Sequence, residues 1–281
     1  MTTRYYNVAQ HVMALTAGDD IFALLDNCRP FEVTPSEPLI SVVIRENAPL
    51  PETWTEEWRQ EEEGDEIACG HSEGNPLFVF RSHGKMAGWM ECGSDYRRAT
   101  VYTGELPKLA IDNAMMIAFA LATAEMDTLL FHASVVCRGG KAYMFLGPSG
   151  TGKSTHTRLW LRYIAGSRLL KDDNPVVRIE ADGEAEVYGS PWSGKTPCYV
   201  NEHYPLGAIV RLRQAPHNAI RRMSPIEAYA TMASSVSGKR WEKNIADGLH
   251  RALNSLTATA RMWHMDCLPD EAAAKMTSST I

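Results

Sequence analysis

Apolar and polar positions alternate through much of the first hundred residues. Leu39 to Arg45 ("LISVVIR"), Leu77 to Ser82 ("LFVFRS") and Arg97 to Thr103 ("RRATVYT") carry the β-branched and aromatic residues that suit a pleated, half-buried surface. Proline-rich and acidic connections separate these segments. The acidic run from Glu56 to Glu66 reads as a solvated loop or helix face rather than a partner-binding tail. From Leu109 to Met126 the period changes. Ile111, Met115, Ala118, Ala122 and Met126 recur at helical spacing, which predicts an apolar helix packed under the next unit.

Two apolar runs follow, "LLFHASVVC" and "AYMFLG", joined by "RGGK". A Gly-Gly pair between strand-like runs is a tight hairpin signal. With Gly139 and Gly140 as the loop, Arg138 faces Lys141, and the same register carried outward sets His132 opposite Gly147. Thr155 to Ala165 reads as a helix stopped by Gly166. "SRLLK" reads as a short strand ending at Asp172 and Asp173, and Asp182-Gly183 marks a second hairpin between "PVVRIE" and "AEVYGS". Ala208 to Gln214 is a further strand with "NAIRRMS" as a candidate partner. Ser224, Pro225 and Glu227 form a helix start, and helices fill much of Pro225 to Ala258. "ARMWHMDC" predicts a last strand and "PDEAAAKM" a last short helix. The division expected is a β-rich region over 1–107 and a second domain over 108–281.

Composition sharpens this picture only a little. The chain has 281 residues, 44% of them hydrophobic, enough for one large core or two modest ones. A net charge of -6 argues against nucleic-acid and membrane-surface partners. The six cysteines, Cys28, Cys69, Cys92, Cys137, Cys198 and Cys267, form no C-x-x-C pair, so free thiols in a reducing cytoplasm are expected. The first twenty residues hold no long apolar run of the signal-peptide kind, and the stretch around Ala114 to Ala124 is too short to span a bilayer.

The chemistry concentrates in "FLGPSGTGKSTHTR", Phe145 to Arg158. Gly147, Gly152, Lys153 and Ser154 satisfy G-x-x-x-x-G-K-[ST], after an expected strand and before an expected helix. That context makes it a phosphate cradle rather than a chance glycine turn. The backbone of Gly147, Ser149, Gly150, Thr151, Gly152, Lys153, Ser154 and Thr155 can curl its N–H groups inward, with the positive end of the helix aimed at the same place. Lys153 can reach outer phosphates and the Ser154 hydroxyl can ligate magnesium. The strand leading into the loop arrives from a tight hairpin, so at least this pair is antiparallel. The mainly parallel sheets that usually carry such loops are reached by crossovers.

Asp172 and Asp173 follow in "LLKDDNP". Alone, Asp-Asp-Asn-Pro is good turn chemistry. After a nucleotide loop, helix and strand, two carboxylates can also divide labour between holding magnesium and accepting a proton. His132, beside Gly147, can orient one of them.

His132 in "FHASVV", the loop "GPSGTGKS" and the pair Asp172-Asp173 resemble, in order and spacing, HPr kinase/phosphorylase and the wider HPr kinase and phosphoenolpyruvate carboxykinase-like P-loop superfamily. The resemblance runs from about Leu129 to Ser190. It implies an α/β fold with a mixed sheet, that is, a phosphoenolpyruvate carboxykinase-like core with antiparallel strands preceded by the β-rich region. It also implies an ATP- and Mg2+-dependent kinase acting on a hydroxyl, such as serine of a protein, a peptide or the free amino acid. Asp172 would be the general base, Asp173 would assist or bind magnesium with Ser154, and His132 would support the pair. The resembled kinases are oligomers, which makes a homo-oligomer one expectation. Where HPr kinases carry an acidic residue, an arginine and glycines, this chain has "VYGSPWSGKTP", Val187 to Pro197, and so looks more like the HPr kinase-like serine kinases. A carboxykinase-like metabolic enzyme and a nucleotide-binding protein without catalysis are the alternatives.

Two further stretches stay open. In "GSPWSGKTP", Lys195 can reach a transferred phosphoryl group with Trp192 walling the pocket, or the stretch is a turn whose tryptophan caps the core. Arg211 and Arg213 share one strand face, either as a clamp on an anionic substrate or as a solvated edge.

Overall fold

The computed structural model describes residues 1–194 and 196–281, and the chain divides into two compact units, Met1–Ala122 and Thr123–Ile281. Each is a mixed α/β unit built on its own mixed sheet.

The first unit begins with a hairpin, β1 (Thr2–Val8) and β2 (His11–Ala17), turned through Ala9 and Gln10, both left-handed. A single turn, α1 (Asp19–Phe22), and a 3-10 segment (Asp26–Phe31) lead to β3 (Glu32–Val33) and β4 (Ile40–Arg45). A meander follows: β5 (Thr55–Glu62), β6 (Asp65–Ser72), β7 (Asn75–Ser82) and β8 (Lys85–Cys92), then β9 (Arg98–Thr103) and the helix α2 (Pro107–Ala122). The strand order is β3-β1-β2-β4-β9-β8-β7-β6-β5. The β2–β4 and β4–β9 pairs are parallel and the remaining pairs antiparallel.

The three meander turns, Glu63-Gly64, Glu73-Gly74 and His83-Gly84, all have positive φ at both residues. That is the conformation whose twist matches paired strands, and glycine adopts it without steric cost. Two expectations change here. The run from Glu56 to Glu66 is neither loop nor helix but the fully exposed edge strand β5, its turn and the start of β6. The expected helix from Leu109 to Met126 runs from Pro107 to Ala122. Its buried side chains, among them Ile111, Met115 and Phe119, belong to a helix that packs on β4, β7, β8 and β9.

The second unit contains β10 (Thr128–Leu130), β11 (Ala133–Arg138), β12 (Lys141–Leu146), α3 (Lys153–Tyr163), β13 (Arg168–Asp172), β14 (Val176–Ile179), β15 (Ala185–Tyr188), β16 (His203–Gln214), β17 (Ala219–Arg222), α4 (Pro225–Ala233), α5 (Lys243–Thr259), β18 (Met262–Cys267) and α6 (Glu271–Thr280). The sheet order is β10-β14-β15-β16-β12-β11-β13, with β18 also pairing to β16 and β17 to β18. The pairs β12–β16 and β16–β18 are parallel among otherwise antiparallel neighbours.

The Gly139-Gly140 hairpin has the expected register, with Arg138 opposite Lys141 and Ala133 opposite Leu146. The run "LLFHASVVC" is not one strand, however. It breaks at Phe131 and His132: β10 pairs with β14, while β11 lies between β12 and β13. Likewise "NAIRRMS" pairs with β18 rather than β16. The capping box at Ser224 and Glu227 is present.

One sheet face is closed by α3 and α6 over Phe145, Val210, Leu212, Met265 and Cys267, with Trp160 and Ile164 from the α3 segment. Gly248 lets α5 approach the chain at Ala124 closely: a methyl group there would lie 2.4 Å from the Ala124 carbonyl oxygen. All six cysteines are buried and free. No helix among the described residues is long and apolar enough to cross a membrane.

Candidate functional site

Because β11 runs antiparallel to both β12 and β13, the C-terminal ends of those two strands meet at one edge of the sheet, around the N-terminal end of β11. Three chain-distant segments converge there: the loop after β12, the acid pair after β13, and His132 before β11.

The loop from Gly147 to Gly152 enters α3 with Gly150 at φ +75° and Gly152, the helix N-cap, at φ +102°. These are left-handed conformations that glycine adopts without steric cost. Within the loop Thr151 N–H donates to the Pro148 carbonyl at 3.2 Å and Thr151 Oγ1 to the same oxygen at 2.7 Å. From the neighbouring strand, Gln214 Nε2 donates to the Gly150 carbonyl at 2.9 Å.

Lys153 is 9% exposed, and its ammonium donates to the Gly147 carbonyl at 2.9 Å, the Pro148 carbonyl at 3.2 Å and His132 Nε2 at 2.8 Å. An ammonium only donates, so Nε2 must accept and the His132 proton is assigned to Nδ1. Nδ1 lies 3.4 Å from Asp173 Oδ1. Lysine, imidazole and carboxylate thus stand in a row, with the His132 and Asp173 side chains partly open to solvent.

The second acid has different neighbours. Asp172 is 5% exposed; Ser134 Oγ donates to its Oδ1 at 2.6 Å and Ser154 Oγ to the same oxygen at 2.8 Å. The resemblance associates Ser154 with Asp173; the hydrogen bonds associate it with Asp172 and leave Asp173 facing His132. Asp173 and Asn174 both have left-handed backbones, at φ +73° and +52°, which turns the two carboxylates to different neighbours directly after the strand. Asp173 N–H still reaches the Ala133 carbonyl at 3.0 Å, tying the turn to β11.

The "GSPWSGKTP" stretch lies against the acids. Gly194 N–H donates to the Asp172 carbonyl at 3.4 Å, and a methyl group on Gly194 would come within 3.0 Å of Asp173 Oδ2. Ser190 Oγ donates to the Asn174 carbonyl at 2.6 Å, and Trp192 is buried, in keeping with a core residue. Lys195 lies outside the described residues. The stretch is pinned by Lys171, whose ammonium donates to the Ser190 carbonyl at 2.7 Å, Ser193 Oγ at 2.9 Å and the Cys198 carbonyl at 2.6 Å. Burial of this ammonium pulls its pKa down to about 8, partly offset by the nearby Cys198, Asp173 and Asp172.

Ser134, Lys171 and Gln214 join the site without belonging to any of its sequence motifs. Ser134 follows His132 at a spacing of two, and Lys171 directly precedes the acids, so both were within reach of strand-alternation arguments. Gln214 was not, because its role depends on the parallel pairing of β12 with β16. His156, close behind the loop, is a core residue. It is buried against Phe145, hydrogen-bonded with Thr277 at 3.1 Å, and its pKa is lowered to about 4 by burial. Arg158 Nε donates back to the Ser154 carbonyl at 3.1 Å.

No curated protein matches the chain. Residues 103–255, which include the loop, His132 and both acids, match the family described as SynChlorMet cassette protein ScmC. Since that match covers more than half of the chain, the protein belongs to the ScmC family.

Proposed function

We propose that this protein is a kinase with a phosphoenolpyruvate carboxykinase-like P-loop core, transferring the γ-phosphoryl group of ATP to the hydroxyl of a serine-bearing acceptor. The observation that carries the reading is the separation of the two acids. One carboxylate is bonded to the loop serine, and the other faces the histidine that the loop lysine touches.

Loop amides and the N-terminus of α3 offer donors to phosphate oxygens, and Lys153 supplies a positive charge beside them. Ser154 Oγ and Asp172 Oδ1 are hard oxygen donors 2.8 Å apart, a donor set that suits magnesium. Bound there, the cation would neutralise charge on the outer phosphates. Asp173 is the better candidate for proton acceptor. It is partly open to solvent, and His132 holds its proton on the nitrogen nearest the Asp173 carboxylate, which orients and stabilises the anion. In this division the acceptor hydroxyl gives its proton to Asp173 as its oxygen bonds to phosphorus and ADP leaves. That reverses the roles the HPr kinase resemblance assigns to the two acids, while His132 keeps its supporting role.

The test compares Asp172→Asn and Asp173→Asn. MgATP binding is measured by calorimetry, and transfer to free serine and to serine peptides by mass spectrometry. The family's description as a cassette protein makes the products of neighbouring genes the first acceptors to try after these. Asp173→Asn should keep MgATP binding and lose transfer by about a hundredfold or more. Asp172→Asn should weaken binding of MgATP far more than of metal-free ATP. Undiminished transfer in Asp173→Asn would overturn the assignment, and failure of the unaltered protein to bind MgATP would overturn the kinase reading.

A further inference from the structure

On the sheet face opposite α3 lies a cavity of about 570 Å³. Val210 and Leu212 of β16, and Met265 and Cys267 of β18, pack toward α3. Alternation along the strands therefore sends Arg211, Arg213, His264 and Asp266 to the other face. There they line the cavity together with Arg221 of β17 and residues of α4.

The charges in this cavity are not equivalent. Arg213 makes a two-pronged pair with Asp266, at 2.6 and 2.7 Å, and Arg221 makes one with Glu227, at 2.8 and 3.1 Å. His264 Nε2 also lies 3.0 Å from Asp266. Both carboxylates are committed, and Arg213 and Arg221 are fixed by them. Arg211 lines the same cavity, and its guanidinium has no carboxylate or hydrogen-bonding partner among the described residues. Three arginines face two acids, and the unmatched charge is Arg211.

Two links join the cavity to the phosphate loop. Arg211 pairs in register with Leu146, the residue before Gly147, and Gln214 further along β16 holds the loop carbonyls. On the opposite wall, Ser234 lines the cavity, and the adjacent Ser235 carbonyl accepts a hydrogen bond from His132 N–H at 2.7 Å.

We propose that this cavity anchors the phosphoryl acceptor through a carboxylate, that the acceptor is an acidic peptide segment, and that Arg211 is its principal contact. The inference rests on the kinase reading and names its substrate class. Guanidinium and carboxylate pair bidentately, and a cavity of this size takes several residues rather than one side chain. Met223 and Ala230 give it an apolar wall, and Thr231 and Ser234 add hydroxyl groups.

The test uses the full-length protein and two fluorescein-labelled peptides, Glu-Glu-Ser-Glu-Glu and its amide counterpart Gln-Gln-Ser-Gln-Gln, followed by fluorescence anisotropy. The acidic peptide should bind at least about tenfold more tightly, a preference that shrinks as salt is added. Arg211→Gln should bring the two peptides to within about twofold of each other, and Arg211→Lys should keep part of the preference. Neither variant should alter the melting temperature or MgATP affinity. Equal binding of the two peptides, or a preference that survives Arg211→Gln, overturns the inference. If the unaltered protein prefers the acidic peptide but does not bind MgATP, the kinase reading fails and the anionic site stands. If it binds MgATP without any charge preference, only the acceptor inference fails.

Discussion

His132, Lys153 and Asp173 show how one imidazole can be fixed from both sides: a cation that can only donate assigns its tautomer, and a carboxylate receives the remaining N–H direction. His156, in the same unit, has the opposite fate. With its pKa lowered to about 4, it stays neutral in the fold while the unfolded chain takes up a proton near the ordinary value of 6.5. Between those values the unfolded state binds more protons, so stability falls as pH falls through this window, by roughly 3 kcal/mol at most. His156→Gln should flatten that part of the profile. Thermal melts at pH 7 and pH 4.5 check it; an unchanged pH dependence in the variant would show that another group is responsible. Residue identity made the loop, the lysine and the acids legible in the sequence. Which acid meets Ser154 was not, because it depends on two consecutive left-handed residues, Asp173 and Asn174, and nothing in Asp-Asp-Asn-Pro fixes both.

At the scale of elements, local signals were sufficient wherever a turn or cap is written in a few residues, as in the Gly139-Gly140 hairpin and the Ser224 capping box. Gly64, Gly74 and Gly84 recur at intervals of ten, and that rhythm is a readable sign of the meander. The charge of β5 obscured it, since exposed glutamates on both faces erase alternation. The break at His132 and the parallel seat of β16 beside β12 are set by distant partners and have no local signature. Close packing gives an element-scale expectation. Gly248→Ala would push a methyl group against the Ala124 carbonyl carbon and oxygen, both under 3.0 Å away, and a backbone neighbour yields little. The variant should lose about 1–3 kcal/mol in denaturant unfolding despite the better helix propensity of alanine. A neutral or stabilising result would mean that α5 shifts freely.

For the molecule as a whole, the seam after Ala122 matters. The helix α2 falls within the first compact unit, packs on strands of the first sheet, and buries Ile111, Met115 and Phe119. A fragment covering 108–281 should therefore present a bare apolar helix, while one covering 123–281 should not. Binding of a hydrophobic dye, compared between the two fragments, checks this; equal binding would mean that the helix is covered without its own sheet. The outermost strand of that first sheet has a further consequence. An open edge offers unpaired backbone groups to any strand that approaches, including the same strand of another copy. In β5 the glutamates Glu56, Glu57, Glu61 and Glu62 and the register shift beside Trp58 all oppose such contact. Replacing Glu57, Glu61 and Glu62 with threonine would keep the strand and remove most of its repulsion. Light scattering on concentrated samples should then reveal a protein that sticks to itself edge to edge once its fringe of negative charge is gone.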